Sequence, residues 1–212
     1  MEISELFYSI QGESTFAGQP CLFIRLSGCN LRCNYCDAHY TYEEPGRKMQ
    51  ISELLDFVKN HTVPLVEITG GEPLMQPEVN QLMVSLLAEG RTVLLETNGS
   101  ISLAKVPAGV IKIMDIKCPD SGMHEHLAPD NPALLNKDDE IKFVLSSRKD
   151  YDWAKEIIRT HKLNRLKNLH FSPVVDRLPP ATLADWIMAD QLPVRIQLQL
   201  HTILWPELKR GV

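Results

Sequence analysis

The chain predicts an α/β fold in which parallel strands form an incomplete TIM-type barrel. Apolar runs of strand length alternate with segments apolar at helical spacing, the pattern of βα units that build a parallel sheet with right-handed crossovers. About seven strands can be counted, and a closed eight-unit barrel usually takes ~250 residues; this chain has 212. Residue types that carry chemistry recur just after the strands, at the carboxyl ends where parallel α/β folds build their sites. The length fits one domain, residues 1–212, and no repeat or low-complexity tract divides it.

Taken in order, residues 3–16 open on an apolar stretch expected to be a short edge strand. A loop punctuated by Gly12 follows, carrying Gln11 and Glu13; alone it reads as an ordinary polar turn. Cys21 to Leu26 is mostly apolar and reads as a strand buried on both faces, with Cys21 as packing material. Arg25 is the odd member, because a charge inside an apolar strand either pairs with a carboxylate or faces a polar cavity. The strand stops at Ser27-Gly28, and a loop at about 28–42 begins at once.

Ser52 is placed to cap a helix through Leu54 to Val58. Leu65 to Thr69 gives the next strand, which runs into Gly70-Gly71-Glu72-Pro73. Paired glycines let backbone come close to a ligand, and exposed amides there can bind carboxylate or amine groups. A helix over about 78–88, a strand over 92–97 closing on Asn98-Gly99, and a strand over 111–117 follow. Cys118 stands alone and reads as a small filler. After a Pro/Gly/Asp-rich excursion (119–139) come strand 140–145, helix 150–161, strand 168–172, helix 181–189 and strand 194–199. His201 is expected directly behind that last strand. A single histidine is by default structural or solvent-facing, and a tail such as 201–212 is normally loose.

Cys29-Asn30-Leu31-Arg32-Cys33-Asn34-Tyr35-Cys36 puts three thiols within eight residues. Two could pair as a disulfide, but the third would be stranded. A structural zinc site closes with four ligands, and no second cysteine pair follows. Three thiolates on a tight loop suit a [4Fe-4S] cluster, which normally takes four cysteines; one iron is then open to an outside molecule. The open cluster is the favoured reading, against a zinc site or plain buried cysteines.

The net charge is −5, from 22 Lys and Arg against 27 Asp and Glu. With no basic arm, nucleic acid is not expected as a partner. The acidic start, Met1-Glu2-Ile3-Ser4-Glu5, lacks the basic and apolar regions of a signal peptide. Apolar runs stay far below the ~20 residues of a spanning helix, so no membrane is expected. The expectation is a cytoplasmic protein whose thiols stay reduced.

CxxxCxxC with Tyr35 before the last cysteine resembles the signature of the radical S-adenosylmethionine (SAM) enzymes. The resemblance implies a radical SAM core in which SAM on the open iron releases a 5'-deoxyadenosyl radical that takes hydrogen from substrate. The flanks are more specific. Glu5 to Glu13, Phe23 to Cys29, Cys36-Asp37, Ile68 to Pro73, Glu96 to Gly99 and the Gln199-Leu200-His201 ending with its Gly-Val tail resemble the 7-carboxy-7-deazaguanine synthase family over nearly the whole chain. This implies conversion of 6-carboxy-5,6,7,8-tetrahydropterin into 7-carboxy-7-deazaguanine with loss of ammonia, in queuosine and 7-deazapurine biosynthesis, with SAM regenerated.

Carried over by motif, Cys29, Cys33 and Cys36 would hold the cluster. Tyr35, Cys36, Asp37 and Gly71 would contact SAM, with Asp115, Ile116 and Lys117 helping. Ile10, Gln11, Gly12, Glu13, Arg25, Thr69, His201 and the terminal carboxylate of Val212 would bind the pterin, the tail closing over it. Arg25 would meet the substrate carboxylate, for which a planar guanidinium is well shaped. The family also implies a homodimer and a flavodoxin or ferredoxin as electron donor. Two positions depart from its pattern. Ala38 stands where Thr or Ser usually binds Mg2+, leaving backbone, His39 or Thr41 as substitutes, or no Mg2+ at all. Ser172 stands where Gln is expected before Pro173. The rival readings are another small radical SAM enzyme, such as a glycyl-radical activating enzyme, and a non-catalytic metal-binding module.

Overall fold

The computed structural model describes residues 1–212. Nine strands form one sheet: β1 (Glu2–Ile10), β2 (Pro20–Leu26), β3 (Arg47–Lys48), β4 (Leu65–Gly70), β5 (Thr92–Thr97), β6 (Ile111–Asp115), β7 (Glu140–Leu145), β8 (Asn168–Pro173) and β9 (Arg195–Ile196). Their spatial order is β3-β1-β2-β4-β5-β6-β7-β8-β9. From β2 to β9 every neighbouring pair in that order is parallel. β1 pairs antiparallel with β2 and with β3. The outer strands β3 and β9 do not pair, so the sheet stays open, as an incomplete barrel does. No helix is long and apolar enough to cross a membrane.

The helices are α1 (Tyr40–Glu43), α2 (Ile51–Lys59), α3 (Val79–Ala88), α4 (Asn131–Leu134), α5 (Arg148–Thr160), α6 (Pro180–Asp190) and α7 (Leu200–Leu204). Strands β5 and β7 fall where the apolar runs put them. The first strand is longer than an edge stub, because Ile3 to Ile10 pairs along the whole of β2. Gln50, not Ser52, is the residue before α2; its amide donates to Glu53 Oε2 (2.7 Å), a reciprocal cap that a Ser-based search passes over. The last strand shrinks to two residues, and His201 lies inside α7 rather than behind a strand.

Alternation along the strands divides the molecule into two layers. One parity faces the helices: Leu22, Ile24, Val66, Ile68, Val93 and Leu95 pack with Leu54, Val58, Leu82 and Leu86 of α2 and α3. Met114, Ile141, Phe143, Leu169 and Phe171 pack with Tyr151 and Ala154 of α5 and Leu183 of α6. The other parity faces the barrel interior. It has a small apolar floor (Cys21, Phe23, Leu65, Leu94 and Ile113), above which the residues are polar or charged. Glu140, level with Ile113 of the floor, accepts from the Thr15 amide (3.0 Å), and His170 Nε2 lies 2.9 Å from it. That ties the loop after β1 to β7 and β8.

Phe171 is fully buried, edge-on to Phe143 (5.6 Å) and Tyr151 (5.8 Å). Phe171→Ala is expected to lower the unfolding free energy by about 3–5 kcal/mol, read as a drop in the urea midpoint with an unchanged slope.

Candidate active site

The strand ends open into one cavity of about 780 Å³, within the range of small-molecule sites. The sequence-predicted residues meet there with one exception: Ile10, Gln11, Gly12, Glu13, Arg25, Cys29, Cys33, Tyr35, Cys36, Asp37, Ala38, Thr69, Gly71, Asp115, Lys117, His201 and Val212 all line it. Ile116 faces the other way, into the apolar layer under α5 and α6, and its amide donates to Lys142 O (2.9 Å).

The cluster loop is held against the end of β4. Gly71 N donates to Leu26 O (3.2 Å) and Glu72 N to Gly28 O (2.8 Å). Two amides of the glycine turn thus clamp the loop, while Gly70 and Gly71 still line the cavity. A Cβ on Gly70, whose φ is +143°, would collide with Leu26 backbone, and one on Gly71 would collide with Gly28 O and Cys29; only glycine fits either place. Glu72, fully buried, accepts from Leu74 N (3.0 Å), Thr97 Oγ1 (2.9 Å) and Asn98 N (2.8 Å), joining the glycine turn to the end of β5. Tyr35 Oη donates to Val144 O (3.0 Å) and so anchors the loop to β7.

Cys29, Cys33 and Cys36 are all free and partly exposed. Cys29 Sγ accepts from Leu31 N (3.4 Å) and Asn98 Nδ2 (3.8 Å). Burial pushes the Cys33 thiol up to about 11, against the pull of Lys117. Three reduced thiols on one wall, with donors and a lysine to offset thiolate charge, fit the donor set of an iron–sulfur cluster. For SAM, the fit is an orphaned atom: Asp115 Oδ1 is buried without a partner, while its Oδ2 takes Lys117 Nζ (2.8 Å). In the cavity that Gly71 also lines, that oxygen suits a hydroxyl or ammonium donor. For Mg2+ the residues do not fit. Ala38 has no side-chain oxygen, Thr41 is buried with its hydroxyl turned to donate to Ala38 O (2.7 Å), and His39 is exposed beside Glu43 (3.7 Å).

Arg25 does both things expected of a charge in a strand. Its Nε donates to Glu5 Oε2 (3.0 Å), an oxygen that also accepts from Tyr40 Oη (2.9 Å). Its two terminal nitrogens bond no protein acceptor and belong to a residue lining the cavity. Lys142 Nζ binds Glu13 Oε2 (2.8 Å) and Glu96 and lies 3.8 Å from Asp115 Oδ2. Burial would push Glu96 up, but Lys142 outweighs it and holds the carboxyl down at about 2; Thr69 Oγ1 also donates to it (2.9 Å). Burial likewise opposes the Lys142 charge, yet Glu13 and Glu96 keep its pKa well above the ordinary value.

The tail closes the near side. Leu200 N donates to Gly12 O (3.0 Å), Gln199 Nε2 to Glu13 Oε1 (2.8 Å), and the His201 ring fills the space a Gly12 side chain would need. Arg210 pairs with Glu44 and stacks on Tyr40 (4.1 Å). Ser172 Oγ donates to Gln197 O (3.1 Å), stitching β8 to the segment after β9.

Lys142, Glu67, Glu96, Glu72, Glu5 and Gln199 were not foreseen as site residues. A signal existed: Glu67, Glu96, Asp115 and Lys142 are charges inside apolar strand runs, the same oddity that marked Arg25.

An open parallel sheet with a three-thiol loop at its mouth defines a radical SAM protein, and residues 23–113 match the Radical SAM superfamily. A 7-carboxy-7-deazaguanine synthase of Chlorobaculum tepidum is 46% identical over 100% of this chain and 97% of its own. One of Koribacter versatilis is 44% identical over 100% of both chains. The crystal structure of QueE from Escherichia coli shares the fold at a TM-score of 0.77, with 23% identity over 93% of each chain. The chain belongs to the 7-carboxy-7-deazaguanine synthase family.

Two outcomes are expected. Lys142→Met leaves buried carboxylates without their cation and should cost about 3–5 kcal/mol of stability, with Lys142→Arg costing less in the same urea titration. Gly70→Ala should abolish iron incorporation, measured as iron and visible absorbance per chain. Gly90→Ala, with φ of +75° but nothing within 4 Å, should bind iron normally and so separates collision from backbone strain.

Proposed function

We propose that this chain is the radical SAM enzyme that converts 6-carboxy-5,6,7,8-tetrahydropterin into 7-carboxy-7-deazaguanine and ammonia. The observation that carries this reading is Arg25: Glu5 fixes its Nε, leaving the paired terminal nitrogens for a bidentate carboxylate inside the cavity. The full-length relatives named above supply the reaction. Cys29, Cys33 and Cys36 hold a [4Fe-4S] cluster, which with SAM supplies the radical that takes hydrogen from substrate. Tyr35, Asp37, Gly71, Asp115 and Lys117, with the backbone at Cys36, hold SAM; Ile116 is left to the core.

Arg25 and Thr69 fix the acid end of the pterin. Ile10, Gln11, Gly12 and Glu13 form the wall of its ring, and His201 with the Val212 carboxylate covers the amino-pyrimidine edge. Tail contacts at Gly12 and Glu13 exclude water while the radical exists. The electron comes from a flavodoxin or ferredoxin, and the enzyme works as a cytoplasmic homodimer.

Reconstituted anaerobically and given SAM, reductant and the carboxytetrahydropterin, the chain is expected to yield a product lighter by one ammonia in mass analysis. Formation of 5'-deoxyadenosine with the pterin untouched would point to another radical SAM activity. Turnover is expected to respond only shallowly to Mg2+, and Ala38→Thr to steepen the response; a steep response that Ala38→Thr leaves unchanged contradicts the reading of that position.

A further inference from the structure

Glu67 has no role in the reaction as described, yet it occupies the barrel interior. It stands on β4 between Leu65 of the apolar floor and Thr69 at the rim, 5% exposed, and lines the cavity. Gln11 Nε2 donates to its Oε2, while Gln11 Oε1 accepts from Glu13 N (3.0 Å). One carboxyl oxygen is thereby fixed. The other, Oε1, has no protein partner and is not sealed from the cavity.

Charge decides what this carboxyl can be. The ionisable groups facing it are Glu13 from the loop after β1, Cys21 from β2, Glu96 from β5 and Lys142 from β7. Lys142 is the cation among them, and its contacts go to Glu13, Glu96 and Asp115. Glu67 has no salt-bridge partner, and a buried carboxylate without one is costly. Burial first, and the Glu96 charge second, push the Glu67 carboxyl up to about 8. Environments that drive two neighbouring carboxyls apart assign them different proton states. Here Lys142 sits on Glu96 and no cation bridges Glu67, so Glu96 is the anion and Glu67 the acid.

We propose that Glu67 is a specificity-determining group on the chamber floor: its carboxylic O–H donates a hydrogen bond to an acceptor atom of the substrate's bicyclic ring, a carbonyl oxygen or an unprotonated ring nitrogen, while its other oxygen orients the Gln11 amide. This rests on the pterin reading above. It gives the floor a donor, opposite in sense to the carboxylate that would suit the ring's N–H groups. A ligand offering N–H at that point meets a donor and is rejected, because one of two facing donors stays unpaired.

The test is equilibrium binding of the carboxytetrahydropterin to reconstituted, SAM-loaded enzyme without reductant, at pH values on both sides of 8, with KM and kcat alongside. Wild-type affinity should fall as pH rises through about 8. Glu67→Gln, which keeps shape, donor and acceptor, should match wild type on the acid side and lose that pH dependence. Glu67→Leu should raise Kd and KM about tenfold, the worth of a hydrogen bond left unmade, with kcat moved less. Affinity that rises with pH, a Glu67→Gln profile superimposable on wild type, or Glu67→Leu binding as wild type would each overturn the proposal.

A ligand-free arm separates this from the function. A carboxyl raised in the folded state gives stability that is full below its unfolded value and lost as pH rises through its folded one. Wild-type Tm should therefore decline between 4.5 and about 8 more than that of Glu67→Gln. If Tm behaves so but the wild type neither binds nor converts the pterin, the function reading fails and the ligand assignment fails with it. If the pterin is converted but Tm of both proteins runs in parallel, the acid is wrong and the function stands.

Discussion

The end of β4 lies so close to the start of the cluster loop that no side chain fits between them. Gly70 and Gly71 meet the Leu26 and Gly28 backbone and the Cys29 Cβ, and two amide hydrogen bonds close the seam. This contact fixes where the first thiol stands relative to the sheet. Glu72 extends it, since one buried carboxylate gathers the glycine turn, Thr97 and Asn98, and Asn98 returns a donor to Cys29. The loop that carries the three thiols is clamped to β4 by main chain and held further along by the Tyr35 and Asn98 side chains.

Below that seam the barrel interior is charged, a costly arrangement that needs compensation in place. Lys142 supplies it for Glu13, Glu96 and Asp115, drawing together the loop after β1 and strands β5, β6 and β7. Glu5 does the converse for Arg25, taking one nitrogen and leaving two. The chamber so made presents a guanidinium at one side, carboxylates at the wall and an apolar floor broken by Glu67. Such a lining suits a planar, polar heterocycle with an acid substituent.

Much of this was legible in the sequence because period-two burial and strand-end punctuation are local signals. β5 and β7 follow directly from their apolar runs, and Arg25 declared itself by charge. What was missed depends on pairing. Whether β1 is a stub or a nine-residue strand is decided by β2, which the sequence does not place beside it. His201 sits in α7 because Leu200 N bonds Gly12 O, a contact spanning nearly the whole chain. Lys142 and Glu67 carried the same mark as Arg25, but their partners, in the loop after β1 and on other strands, are brought near only by the folded sheet. The glycine turn was singled out by its sequence, but its amide bonds to Leu26 and Gly28 were not, since they need the end of β2 beside it.

The central claim is that three thiols from Cys29, Cys33 and Cys36 leave one iron without a protein ligand, beside this chamber. Electron paramagnetic resonance of the reduced, reconstituted protein with and without SAM addresses it most directly. The expected result is a [4Fe-4S] signal, about four irons per chain, whose g-values shift when SAM is added. A signal indifferent to SAM, or a colourless protein holding one zinc, would contradict it.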